Sequence, residues 1–177
     1  MSITRNWNNT WAKDNDYYKE DRHRCFAKIR AIIERTGIRM SHDEVSYLCE
    51  ALWQSHNASE FNRRMNGMSN EELGKWANDA KEGVKSKTKD KIKKRTGVEL
   101  TPEELNLLYD QLQQENTKDV DGVPFWEGMY SDVEKMDDEK LRERLKRIQE
   151  EAKRREEIRK RMRGRALQDA ERVSAYQ

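Results

Sequence analysis

Proline and glycine are scarce, two and eight in 177 residues, so little in this chain interrupts a helix. No apolar run approaches the roughly 20 residues that cross a bilayer. The N-terminus has no apolar stretch of the kind that heads a signal peptide. A cytoplasmic protein without membrane contact is the expectation. The two cysteines, Cys25 and Cys49, are then reduced thiols rather than a disulfide framework. The sequons at Asn8 and Asn57 are chance matches for the same reason. Apolar residues make up 34% of the chain, below the roughly 45–50% of an average globular protein. Disorder would also need a high net charge, and here 36 basic and 34 acidic side chains leave only +2. Five Trp, six Tyr and seven Met add apolar area. A thin core and an elongated shape follow.

Against this sparse background one pattern occurs twice. Ile32-Ile33-Glu34-Arg35-Thr36-Gly37-Ile38-Arg39-Met40-Ser41 returns sixty residues later as Ile92-Lys93-Lys94-Arg95-Thr96-Gly97-Val98-Glu99-Leu100-Thr101. The match runs on through Glu44 and Glu104, Val45 and Leu105, Leu48 and Leu108, Leu52 and Leu112. One helical unit used twice is the simplest source of such self-similarity.

The local signals agree with that plan. Tyr18, Cys25, Phe26, Ile29, Ile32 and Ile33 recur at three- and four-residue steps, which predicts an amphipathic helix over about 14–35. Gly37 ends it, because glycine accepts the positive φ of a residue just past a helix. Ser41 with Glu44 predicts a capping box, then a helix burying Val45, Leu48, Cys49, Leu52 and Trp53. A short helix around 60–65 follows a loop near His56. Ser69 with Glu72 opens a long helix toward Arg95, in which Gly83 invites a break. Gly97 repeats the stop, and Thr101, Pro102 and Glu104 repeat the start. Residues 116–130 read as a loop with an aromatic anchor. A last helix begins near Asp137 and reaches about Arg163, held in water by Glu-before-base pairs four apart. Met162-Arg163-Gly164 is a faint third echo of the stop.

The predicted fold is therefore all-α, two tandem related helical hairpins plus a long charged C-terminal helix. A flexible arm covers 1–13, repeat one 14–66, repeat two with its aromatic loop 67–130, and the charged helix and tail 131–177.

Charge is segregated along this plan. Residues 85–95 carry seven bases and one acid, residues 99–138 twelve acids and two bases, and residues 153–165 eight bases and two acids. Where the first long helix has Phe26, Ile29 and Ile33, the second has Ser86, Lys89 and Lys93. That face must be solvated or meet something acidic.

Several chemistries are excluded on the residues. A DNA-reading helix needs positive charge at the groove, yet the second helices open with Ser-His-Asp-Glu and Thr-Pro-Glu-Glu. His42, Cys49 and His56 are seven apart, about 10.5 Å along a helix, too far to share one metal ion. Asp119-Val120-Asp121-Gly122 fails as a calcium loop, because alignment on Gly122 puts Thr117 and Gly128 where two principal ligands belong; it reads as a turn. There is no phosphate-binding glycine loop and no nucleophile elbow. No enzyme activity, metal or cofactor is expected.

What remains is a non-catalytic interaction protein, an adaptor, regulator or assembly component, with a protein partner. Its candidate contacts are Trp7 and Trp11 in the arm, Lys85, Lys87, Lys89, Lys91, Lys93, Lys94 and Arg95 in the first basic block, and Arg154, Arg155, Arg159, Lys160 and Arg161 in the second. Nucleic-acid binding through the same basic helices is the alternative, though neither block has interleaved aromatics to stack bases. Self-association through Leu141, Leu145, Ile148 and Ala152 is the third possibility, on their coiled-coil-like spacing.

Overall fold

The computed structural model describes residues 15–49 and 58–176. The arm with Trp7 and Trp11, and Leu52, Trp53 and His56, lie outside these. Among the described residues the chain is all-α apart from one small hairpin. Its elements are α1 (Asn15–Thr36), α2 (His42–Tyr47), α3 (Ala58–Asn66), α4 (Asn70–Thr96), α5 (Pro102–Asn116), β1 (Lys118–Val120), β2 (Val123–Phe125), α6 (Met129–Lys135) and α7 (Asp138–Ala175).

The helix boundaries follow from local chemistry. Ser41, Ser69 and Thr101 each cap a helix in a complete capping box, with Glu44, Glu72 and Glu104 returning the bond. Gly37 and Gly97 sit at φ 71° and 73°, where any residue with a Cβ is strained. Their N–H groups donate to Ile33 O and Lys93 O, both at 2.8 Å. The preceding threonines do the same work twice. Thr36 Oγ1 donates to Ile32 O at 2.7 Å and accepts from Ile38 N at 3.2 Å; Thr96 does so with Ile92 and Val98 at the same distances.

The arginine of the motif acts at longer range. Arg35 donates to the carbonyls of Met65 and Met68, both at 2.5 Å, and to Asn70 Oδ1 at 2.9 Å. Arg95 donates to the carbonyls of Val133 and Met136 at 2.7 and 2.6 Å, and to Asp138 Oδ1 at 2.8 Å. Each guanidinium thus ties the end of one long helix to the end of a short helix and the start of the next long one. α3 and α4 stand to α1 as α6 and α7 stand to α4.

Two clusters of buried side chains result. The first gathers Ile29 and Ile32 of α1, Val45 of α2 with Leu48 just past its end, Phe61 and Met65 of α3, and Leu73, Ala77 and Ala80 of α4. The second gathers Ile92 of α4, Leu105, Leu108 and Leu112 of α5, Met129 and Val133 of α6, and Leu141, Leu145 and Ile148 of α7. Each large aliphatic side chain so buried contributes about 1.5–3 kcal/mol. α4 serves both clusters with its two halves.

Four expectations need correction. α4 does not break at Gly83; the helix runs through, and glycine is there because a Cβ would overlap the Tyr47 ring. Residues 116–130 are not a plain loop. Asp121 and Gly122 have φ 51° and 79°, the two positive values of a type I′ turn, and they close β1 on β2 with Val120 opposite Val123. α6 then begins inside that stretch. Lastly, α7 does not stop near Arg163 but reaches Ala175, passing Gly164 without a turn.

Candidate functional site: a buried joint and an exposed helix

The first basic block is largely engaged by the chain itself. Lys85 reaches Asn106 Oδ1 at 3.1 Å and lies 4.7 Å from the centre of the Tyr109 ring. Lys87 stands over Tyr47 at 5.0 Å. Lys91 pairs with Glu134 and Lys93 with Glu99, each at 3.4 Å, and Arg95 is the clamp on Asp138. Thr88 and Ile92 are fully buried between these cations. The block therefore packs although its apolar stripe is thin, and the acidic stretch that follows it supplies the counter-charges. Lys89 and Lys94 have no acid within ion-pair distance among the described residues.

The opening of α2 is buried, not solvated. His42, Asp43 and Glu44 are at most 1% exposed. Their partners come from the second half of the chain. The N–H groups of His42 and Asp43 donate to Trp126 O and Glu127 O at 3.0 and 2.9 Å. Asp43 in return accepts from Ser131 N at 2.8 Å and Ser131 Oγ at 2.6 Å. α6 has no side-chain cap of its own, so Asp43 caps it from another helix. Gly128 makes room, since a Cβ there would overlap the Asp43 carboxylate. Glu44, besides its capping-box bonds, accepts from Tyr109 OH at 2.9 and 3.0 Å and lies 3.7 Å from Lys81 Nζ. Tyr109 meets Trp126 edge-on at 5.1 Å, and Trp126 Nε1 donates to Asp132 Oδ2 at 2.7 Å. His42 Nδ1 lies 3.9 Å from Glu127 Oε2.

Burial governs titration here. It pushes Asp43 up to about 7, against the bonds from Ser131, with Glu44 and Asp132 adding to the rise. It raises Asp132 as well, opposed by the bonds from Trp126 and Asn116. Burial, then the Glu44 charge, holds the Tyr109 hydroxyl far above its ordinary range. Asp43, Glu44, Tyr109 and Asp132 each hold a hydrogen-bond partner within the joint. The nearby cavity, lined by Arg39, Ser41, Gln113, Pro124 and Trp126 among others, holds about 10 Å³, room for about one water. No three His, Cys, Asp or Glu side chains stand together as a metal site among the described residues. The arrangement is a polar joint between elements of the two core clusters, and sequence reasoning missed it.

The second basic block is built differently. α7 runs back along α5, with Arg144 on Glu115 at 2.6 and 2.7 Å and Arg159 on Glu103 at 2.7 and 2.8 Å. Leu141, Leu145 and Ile148 are buried within the chain, so they are not available for self-association. Past Ala152 every residue up to Tyr176 is exposed except Glu156, with Ile158 half-covered at 49% exposure. Arg154 and Arg155 pair with Glu151 at 2.7 and 3.0 Å. Lys160 and Arg161, and beyond them Arg163 and Arg165, have no acid within ion-pair distance among the described residues.

Comparison of the chain with protein families, with curated proteins and with solved structures finds no match.

Proposed function

We propose that the protein is a non-catalytic helical interaction protein, an adaptor or assembly component of the cytoplasm, that presents the outer part of α7 to a macromolecular partner. One observation carries this reading. Between Lys153 and Ala175 the helix is unbroken, yet its residues are exposed save for Glu156. That is about 35 Å of helix at 1.5 Å per residue. Its one hydrogen-bonded tie to the rest of the fold among the described residues is Arg159 on Glu103. Arg–Glu pairs such as Arg155–Glu151 and Arg159–Glu156 keep it helical in water at about 0.2–0.5 kcal/mol each, so it is preformed for contact. The block at 85–95 supports the fold in this reading, leaving exposed Lys94 and half-buried Lys89 as its cations without an acid partner among the described residues.

The test uses two baits in an extract of the native source, the full chain and a chain ending at Ala152, both first shown to share one melting profile. A partner held by the full chain and lost by the shorter one is the expected result. Identical captures with both baits would remove the outer helix as the contact element.

Four cations within six residues, Lys160, Arg161, Arg163 and Arg165, have no acid within ion-pair distance among the described residues and favour nucleic acid as a second reading. It requires retardation of duplex DNA or RNA at low salt, with affinity falling steeply as salt rises. Absence of any retardation eliminates it.

A further inference from the structure

The outer helix carries an apolar seam as well as charge. At about 100° per residue, Ile158, Met162, Ala166, Ala170 and Val173 fall within an arc of about 120°. That arc overlaps the one by which Leu141, Leu145 and Ile148 enter the second core. Ile158, Met162 and Val173 are 49%, 65% and 63% exposed. Arg161 and Arg165 line one margin of the seam and Arg163 the other. Within the arc Arg159 is already held by Glu103, and Asp169, its one acid past Ile158, sits a turn from both Arg165 and Arg172.

We propose that this seam receives an acidic amphipathic helix of a partner protein, an inference that rests on the outer part of α7 being the contact element. Charge selects the occupant. Residues 153–165 hold eight bases and two acids, so a second copy laid parallel would set two strongly basic segments together. Laid antiparallel, it would offer only Asp169 and Glu171, offset by Arg172, against each basic segment. Alanines at the middle of the seam let another helix come close, since interaxial distance depends on the side chains at the contact. Lipid-bound helices favour Trp, Phe and Leu on the apolar face, and none of the five seam residues is one of these. Nucleic acid would use the arginines and leave the seam idle.

The probe is a synthetic three-heptad peptide with leucine at the seam positions and glutamate at the flanks, titrated against the full chain by fluorescence anisotropy. A scrambled peptide of equal composition, a DNA duplex and phosphatidylserine vesicles are titrated alongside. The expected result is binding of the patterned peptide alone, weakened at least tenfold by Met162→Asn with Val173→Asn, and at least tenfold by Arg161→Glu with Arg165→Glu. All four positions are exposed, so these variants keep the fold, which their melting curves check. Equal binding of the scrambled peptide, indifference to the asparagine pair, or tighter binding of duplex or vesicles would each overturn the proposal. If the peptide fails while the chain ending at Ala152 still loses its natural partner, only the partner's chemistry is refuted and the contact element stands.

Discussion

Asp43 sits fully buried between two helix starts, one its own and one eighty-eight residues away. Its titration has a definite sign. Burial raises the folded pKa to about 7 from the ordinary 3.8, so the folded state holds the proton more tightly than the unfolded one. The stabilisation is complete below about pH 4 and is lost as the pH rises through about 7. Asp43→Asn keeps an acceptor for Ser131 N and removes the titration. Urea titrations between pH 4 and 8 should show wild-type stability falling relative to the variant, by at most about 4 kcal/mol; parallel curves would contradict this. Gly128→Ala tests the same contact from the other side. It combines φ 128° with a Cβ inside the Asp43 carboxylate. A loss of about 2–4 kcal/mol is expected in thermal or urea melts.

Among the elements, the two arginine clamps make matched predictions. Arg35→Lys and Arg95→Lys keep the charge but replace a planar fork with one ammonium, which cannot reach two carbonyls and a side-chain oxygen at once. Each should cost about 2–3 kcal/mol in urea unfolding, and the two losses should be similar. A lysine variant as stable as the wild type would show the fork to be dispensable. α7 divides by the same logic. Leu145→Ala should cost about 2–5 kcal/mol, while removal of residues after Arg159 should change stability by less than about 0.5 kcal/mol.

How much of this could be read beforehand follows from range. The Arg-Thr-Gly stops and the three capping boxes are bonds among residues two to four apart, and the sequence shows them directly. The Asp121-Gly122 turn was legible too, but strands of three residues are too short to display alternation. α7 outran its predicted end because Gly164 resembles a stop, whereas an exposed glycine costs a helix only about 1 kcal/mol. The joint was illegible for a different reason. His42, Asp43 and Glu44 look like an ordinary acidic helix start, and their partners Tyr109 and Ser131 lie 65 and 88 residues away. The arginines of the repeated motif were visible as a repetition, but their targets in α3, α4, α6 and α7 were not.

For the molecule as a whole, α4 matters most, since Leu73, Ala77 and Ala80 belong to one core and Ile92 to the other. The two core clusters share a rod rather than a linker, and the joint of Glu44, Tyr109, Asp43 and Ser131 closes beside it. Urea unfolding followed by tryptophan fluorescence and by helical circular dichroism should therefore trace one coincident transition; separated midpoints would mean the cores melt independently. A shared rod also fixes an azimuth. One alanine inserted after Lys85 removes no residue of either core, yet turns the second core about 100° around the axis of the first. The same insertion after Gly164 turns only the free tip. The first should dismantle the molecule and the second leave it standing, because in α4 rotational phase, not composition, is what holds the halves in register.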